Sequence, residues 1–247
     1  IEQNKLYIRL ASNEMFRISK DVVQMILNDE VKNPKEALAA FNKELAGDEP
    51  GTEIVAHIDT GYSNDFTPEP GNQAASSIAN TMRVLSGVDL VFMQSCYVAN
   101  DIYVGDYSQK DLGYIAKNDG GWPGLMELTG DQIYTLVERT LSMTGNRGAV
   151  CNDSTLYVSS GFEMDITKND SGYTLNALTI DGKELDRNAS YSFLIYGDRD
   201  WYMSDVMEQM GVSEVDSTGP KAEGYLLQRL VEEGEQLEPP TDYITLR

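Results

Sequence analysis

The chain has 247 residues, 41% hydrophobic and 24% charged, the composition of a folded protein with a substantial core. Its 40 acidic residues against 19 basic ones give a net charge of −21, which excludes a phosphate-backbone partner, because nucleic acids are held by Lys and Arg clusters. No apolar run approaches the roughly 18 residues of a membrane span, and a single histidine, His57, cannot supply a dimetal centre built on several imidazoles.

The chain opens on Ile1-Glu2-Gln3, without an initiator Met or a signal peptide, so something is expected to have been trimmed from the front, by biology or by choice of boundaries. Lys5 to Leu10 alternates polar and apolar residues and reads as a strand. A helix is expected over Val22 to Leu27. Asn33-Pro34-Lys35-Glu36 opens another, with a cap, Pro at the first helical position and Glu three after the cap. Gly47 to Gly51 marks a boundary. Residues 1–49 carry 7 basic and 9 acidic side chains, so nearly all of the net charge belongs to residues 50–247. The expected organisation is an incomplete N-terminal piece, 1–49, and a main domain, 50–247.

In the main domain Glu53 to Ile58 reads as a strand, which makes His57 a strand histidine. Gln73 to Leu85 is a helix starting after Pro70-Gly71-Asn72. Asp89 to Met93 is apolar almost throughout, the mark of a buried strand. Ser108-Gln109-Lys110-Asp111 and Thr129-Gly130-Asp131-Gln132 are capping boxes; Ile133, Leu136, Val137 and Leu141 give the second helix one apolar face. Leu156 to Ile166 reads as one strand run with a bulge near Ser159-Ser160-Gly161. Asn169 to Gly172 and Asp181-Gly182 are turns, and the second signals a tight hairpin. Tyr191 to Tyr196 is a strand, Ala222, Tyr225, Leu226 and Leu230 share one helix face, and Asp242 to Leu246 closes as a strand. Helices and hairpins interleave without strict strand–helix–strand order, which predicts an α+β fold. Cys96 and Cys151 fit no metal spacing and no redox motif; one disulfide and two free thiols both fit.

The order of these signals resembles the C-terminal domain of the 5′-nucleotidase family. The residues that carry the likeness are Pro70-Gly71-Asn72 at a helix start, Asp89-Leu90-Val91-Phe92 before a loop, and Glu127 to Gln132 opening a helix. Val158 to Gly161, the hairpin Leu178 to Leu185, and Tyr191 before a strand and an acidic loop complete it. The resemblance implies a layered α/β/β/α domain that holds the substrate nucleotide. An upstream metallophosphatase domain would hold two divalent metals and hydrolyse the substrate. It also implies a secreted, periplasmic or cell-surface protein. Residues 1–49 then correspond to the end of that upstream domain and an inter-domain helix. The family's Asp-x-His, Gly-Asn-His and Gly-His-x-His elements are missing from this sequence, so no cofactor and no catalytic residue is expected in this chain.

The nucleotide clamp departs from the family pattern. Its Asn-Gly-Gly-Gly-Ile-Arg loop reads Gln94-Ser95-Cys96-Tyr97-Val98-Ala99, so the phosphate-pairing Arg has become Ala99 and Tyr97 stands at a glycine position. The Pro-Phe-Gly-Asn loop falls at Lys117-Asn118-Asp119-Gly120, and the second aromatic loop is shortened to Gly197-Asp198-Arg199-Asp200-Trp201-Tyr202. By position the ligand-binding set is Gln94, Ser95, Tyr97, Asn118, Gly161, Asp200, Trp201 and Tyr202. Two function classes follow: a substrate-recognition domain with a degenerate clamp, not catalytic alone, or a binding module that re-uses the cleft for a neutral ligand. If the cleft is filled, Tyr97 packs over the old glycine positions; if it is re-used, Tyr97 borders an open pocket.

Overall fold

The structure is a computed structural model, and it describes residues 5–9, 15–19, 53–65, 71–116, 121–143, 157–169, 172–198 and 207–247. The helices expected over Val22 to Leu27 and after Asn33 lie outside these residues, as does the boundary at Gly47 to Gly51. Strand β1 (Lys5–Arg9) forms as expected and pairs antiparallel with β2 (Met15–Ser19), for which the sequence reading had no signal.

Two four-stranded sheets make the main body. The first has the order β6 (Gly121–Thr129), β11 (Ser190–Asp198), β4 (Leu90–Gln94), β7 (Tyr157–Ser160). Strand β11 runs parallel to β4 and antiparallel to β6, so the C-terminal ends of β4 and β11 meet the start of β6. The second sheet has the order β10 (Lys183–Glu184), β9 (Gly172–Ile180), β8 (Glu163–Asn169), β12 (Ile244–Leu246). A ribbon of β3 (Ile54–Ile58) and β5 (Gly105–Ser108) stands beside them, with His57 exposed on β3. With four α-helices among the described residues, α1 (Gln73–Ser86), α2 (Gln109–Ile115), α3 (Gly130–Met143) and α4 (Ala222–Leu227), this is the α+β fold expected.

The sequence signals act as capping chemistry requires. The Asn72 side chain accepts from the Ala75 N–H at 2.8 Å and starts α1, and Gly87, with φ of 67°, stops it. Ser108 and Asp111 exchange the two bonds of a capping box at α2, and Thr129 and Gln132 do so at α3. Asp181 and Gly182 both adopt positive φ (52° and 71°), the requirement of the tight turn between β9 and β10.

One reading is corrected. Leu156 to Ile166 is not a single bulged strand: β7 belongs to the first sheet and β8 to the second. The chain changes sheets at Gly161, whose φ of 85° no branched residue would hold, and the Ser159 hydroxyl donates to the Phe162 carbonyl across the corner at 2.7 Å. The core between the elements is aromatic at this point, with Phe92 stacked on Tyr157 at 4.5 Å and tilted against Phe162 at 6.0 Å.

The polar stripe of α1, Ser76, Ser77, Asn80 and Thr81, is buried, not solvated. Residues 236–243 lie across it as a strap. Ser77 donates to the Glu238 carbonyl at 2.6 Å, Asn80 to the Pro239 carbonyl at 2.7 Å, and Ser76 to the Thr241 carbonyl at 3.0 Å. The Asn72 N–H donates to the Tyr243 hydroxyl at 2.8 Å. Arg229 ties the strap's start through Glu233, Glu235 and Glu238, at 3.1, 2.7 and 2.6 Å.

Candidate functional site

The loop that follows a buried parallel strand is where open α/β sheets place their ligands. Here β4 is buried from Leu90 to Met93 and delivers Gln94 to the sheet's end, beside Gly197 and Asp198 of β11 and Gly121 of β6. The Gln94 side-chain oxygen accepts from the Asp198 N–H at 2.8 Å. To do so it lies over Gly197, where a Cβ would come within 2.5 Å of it. The amide therefore occupies the space that the missing side chain leaves.

Ser95 to Tyr97 form one 3-10 turn, with Ser95 buried and its carbonyl accepting from Val98 at 2.9 Å. Tyr97 is 3% exposed. Its ring meets Tyr196 edge-on, with centroids 5.8 Å apart and planes at 89°. Both rings close on Gly121, where a Cβ would fall within 3 Å of each. Burial, then the charge of Asp198 and the neighbouring Tyr196, push the Tyr97 phenol up to about 12, so it is protonated throughout the physiological range. Cys96, between these two residues, is disulfide-bonded, which excludes the free-thiol reading for it; Cys151 lies outside the described residues.

Beyond the turn the chain is tied down. Ala99, at the position of the family's Arg, donates its N–H to the Ile115 carbonyl at 2.7 Å. Asn64 donates its side-chain amide to the Val98 carbonyl and its N–H to Asp101, at 3.1 and 2.7 Å. Next to them is a cavity of about 230 Å³ whose lining includes Tyr62, Ser63, Gln73, Asp101 and Tyr103. The Tyr103 hydroxyl donates to the second oxygen of Asp101 at 2.7 Å.

The structure thus brings Gln94, Ser95 and Tyr97 together and leaves Gly161 elsewhere. Gly161 follows Ser160, which pairs with Val91, and its Cβ position abuts the Asp89 carbonyl at the opposite end of β4. Asn118, Asp200, Trp201 and Tyr202 lie outside the described residues. Sequence reasoning missed Trp122, which pairs with Gly197, is 39% exposed, and carries the Lys221 ammonium over its ring at 4.6 Å. Its one signal was an aromatic two residues after the loop at 117–120.

The model of the 5′-nucleotidase C-terminal domain matches residues 54–197, more than half of the chain. The chain belongs to the 5′-nucleotidase C-terminal domain family. No curated protein sequence matches it. Among solved structures this 5′-nucleotidase C-terminal domain is similar to the NAD nucleotidase of Haemophilus influenzae (TM-score 0.63, 16% identity, 98% of this chain and 48% of that one). It is also similar to a 5′-nucleotidase precursor of Thermus thermophilus (0.60, 14%, 86% and 43%). A third likeness is to the sulfate thiohydrolase SoxB of Thermus thermophilus (0.60, 16%, 94% and 41%). The chain spans less than half the length of each of these proteins. At these identities the likeness is one of fold.

Proposed function

We propose that this domain is the substrate-recognition part of a nucleotidase-type hydrolase whose nucleotide clamp has degenerated, and that it hydrolyses nothing by itself. The observation that carries this reading is Tyr97: a ring packed on Tyr196 and Gly121 stands where the family's glycines admit a ligand. Ala99 supplies no charge to a phosphate, and Gln94 spends its side-chain oxygen on Asp198. Catalysis would belong to an upstream metallophosphatase domain holding two divalent metals. This chain carries one histidine, exposed on β3, and its sequence lacks the family's Asp-x-His, Gly-Asn-His and Gly-His-x-His elements. A disulfide at Cys96 supports a secreted, periplasmic or surface location, where disulfides persist.

The test is calorimetry with AMP, alongside phosphate release from AMP with added Mn²⁺. A lost Arg–phosphate contact removes about 1.5–3 kcal/mol, so Ala99 alone leaves AMP binding at least roughly tenfold weaker than an intact clamp gives. No saturable heat at micromolar AMP and no EDTA-sensitive phosphate release are expected. A micromolar dissociation constant overturns the degenerate clamp; sustained EDTA-sensitive turnover overturns the non-catalytic assignment. A second reading, a cleft re-used for a neutral ligand, is favoured by exposed Trp122 and by the cavity with Tyr62, Gln73 and Asp101. Saturable binding of uridine or glucose without AMP binding would support it.

A further inference from the structure

We propose that the notch beside the edge strand β6, at the opposite end of the sheet from Gln94, docks an extended basic peptide segment that adds to the sheet at Glu127. The inference does not rest on the state of the clamp. The Leu125 N–H donates to the Asp216 carbonyl at 2.8 Å, and the Asp216 N–H to the Leu125 carbonyl at 2.9 Å. Both backbone groups of Leu125 therefore point out of the sheet, and alternation along a strand turns those of Glu127 the same way. Ser192, opposite Glu127, confirms the phase. Its N–H donates to the Asp89 carboxylate at 2.9 Å and its carbonyl accepts from the Asp89 N–H at 3.1 Å, both away from β6. Glu127 has no backbone partner among the described residues.

If the pairing of Leu125 with Asp216 continued, Glu214 would sit opposite Glu127. Two carboxylates facing each other across a pair are destabilising, and the chain splays there. The result is a cleft of about 830 Å³ between β6 and residues 211–216. Val88, Leu125, Val212 and Val215 give it apolar surface; Glu127, Glu214 and Asp216 give it charge, and its lining holds no Lys or Arg. Asp216 stays ionised into the acid range, because the Thr218 hydroxyl and N–H donate to its carboxylate. An open edge takes a strand. Valine-like side chains of that strand would meet the apolar wall, and Lys or Arg side chains the three carboxylates. A second copy of this acidic chain would bring like charges to the same notch.

The experiment uses fluorescein-labelled Val-Lys-Val-Lys-Val-Lys-Val, the same peptide N-methylated at alternate residues, and a Val-Glu counterpart. Anisotropy is read against the whole chain, with hydrogen exchange at the Glu127 amide. The Val-Lys peptide is expected to bind saturably, to slow exchange at Glu127, and to lose about tenfold or more in affinity on N-methylation, since the methyl groups block pairing and leave charge intact. The Val-Glu peptide should not bind. E127P removes the outward N–H at a position without a ladder bond, and E127K/E214K reverses the charge; each should lower affinity about tenfold. Equal binding of the N-methylated peptide shows attraction to a net charge of −21 alone and overturns the proposal. So do unchanged affinity in E127K/E214K, an absence of saturable binding, and concentration-dependent dimers abolished by E127P. A Glu127 amide already protected in the free chain overturns it as well.

Discussion

At Tyr97 a phenol ring, the Tyr196 ring and a glycine make one packed unit, and the unit has a definite stability. Tyr97→Ala should cost about 3 kcal/mol, the usual penalty for emptying a buried aromatic site, read as a lower urea midpoint with unchanged slope. The substitution was legible, since Tyr stands at a glycine position of the family pattern. Its packing partner was not, because Tyr196 comes from a strand a hundred residues away. His57 offers a second residue-scale test. Its Nδ1 lies 2.6 Å from an Asp106 oxygen and its Nε2 3.6 Å from Asp59. The hydrogen bond to Asp106 raises its pKa above the ordinary 6.5; desolvation opposes this, and the charges of Asp106 and Asp59 add to the rise. A raised folded-state value means the pairing stabilises the fold below the unfolded pKa and ceases to do so as pH rises through the folded one. NMR titration should place the His57 midpoint above 6.5 in the native chain and lower in Asp106→Asn.

Elements with local signals are the ones the sequence discloses. Helix α1 is bounded by Asn72 and Gly87, α2 and α3 by their boxes, and the hairpin of β9 and β10 by Asp181-Gly182. What stays hidden is set by partners remote in sequence. Nothing local to the Ser76–Thr81 stripe shows that residues 236–243 are laid across it. The run from Leu156 reads as one strand because its apolar alternation continues across Gly161 while the backbone turns from one sheet to the other. Strand β6 carries Pro123, a poor strand residue except at an edge, and its edge position explains the tolerance. At this scale Gly71→Ala should destabilise by more than about 1 kcal/mol, since φ is 87° and the new methyl would meet the Tyr243 ring within 2.7 Å. Replacing Arg229 with Met should cost about 1.5–3 kcal/mol through its charged hydrogen bonds. The same variant should speed exchange at the Glu238 amide, which donates to Thr81 at 3.1 Å.

The whole molecule carries 21 net negative charges, and self-repulsion of that size opposes compactness. Raising NaCl from about 10 mM to physiological ionic strength shortens the screening length from roughly 30 to 8 Å, so the thermal midpoint should rise across that range. A midpoint that falls with salt would show that favourable ion pairs, such as those of Arg229, outweigh the repulsion.

The strap also gives the fold an order in time. Its bonds to α1 join residues 157 to 165 positions apart, and the bond to Asn72 spans 171. During synthesis at roughly 5–20 residues per second, the ribosome delivers the strap about 10–30 seconds after the helix. Through that interval Ser76, Ser77, Asn80 and Thr81 face water instead of the strap. The polar stripe is thus a surface suited to water first and to backbone carbonyls later, which keeps the half-made domain from exposing a greasy helix while its cover is still being translated.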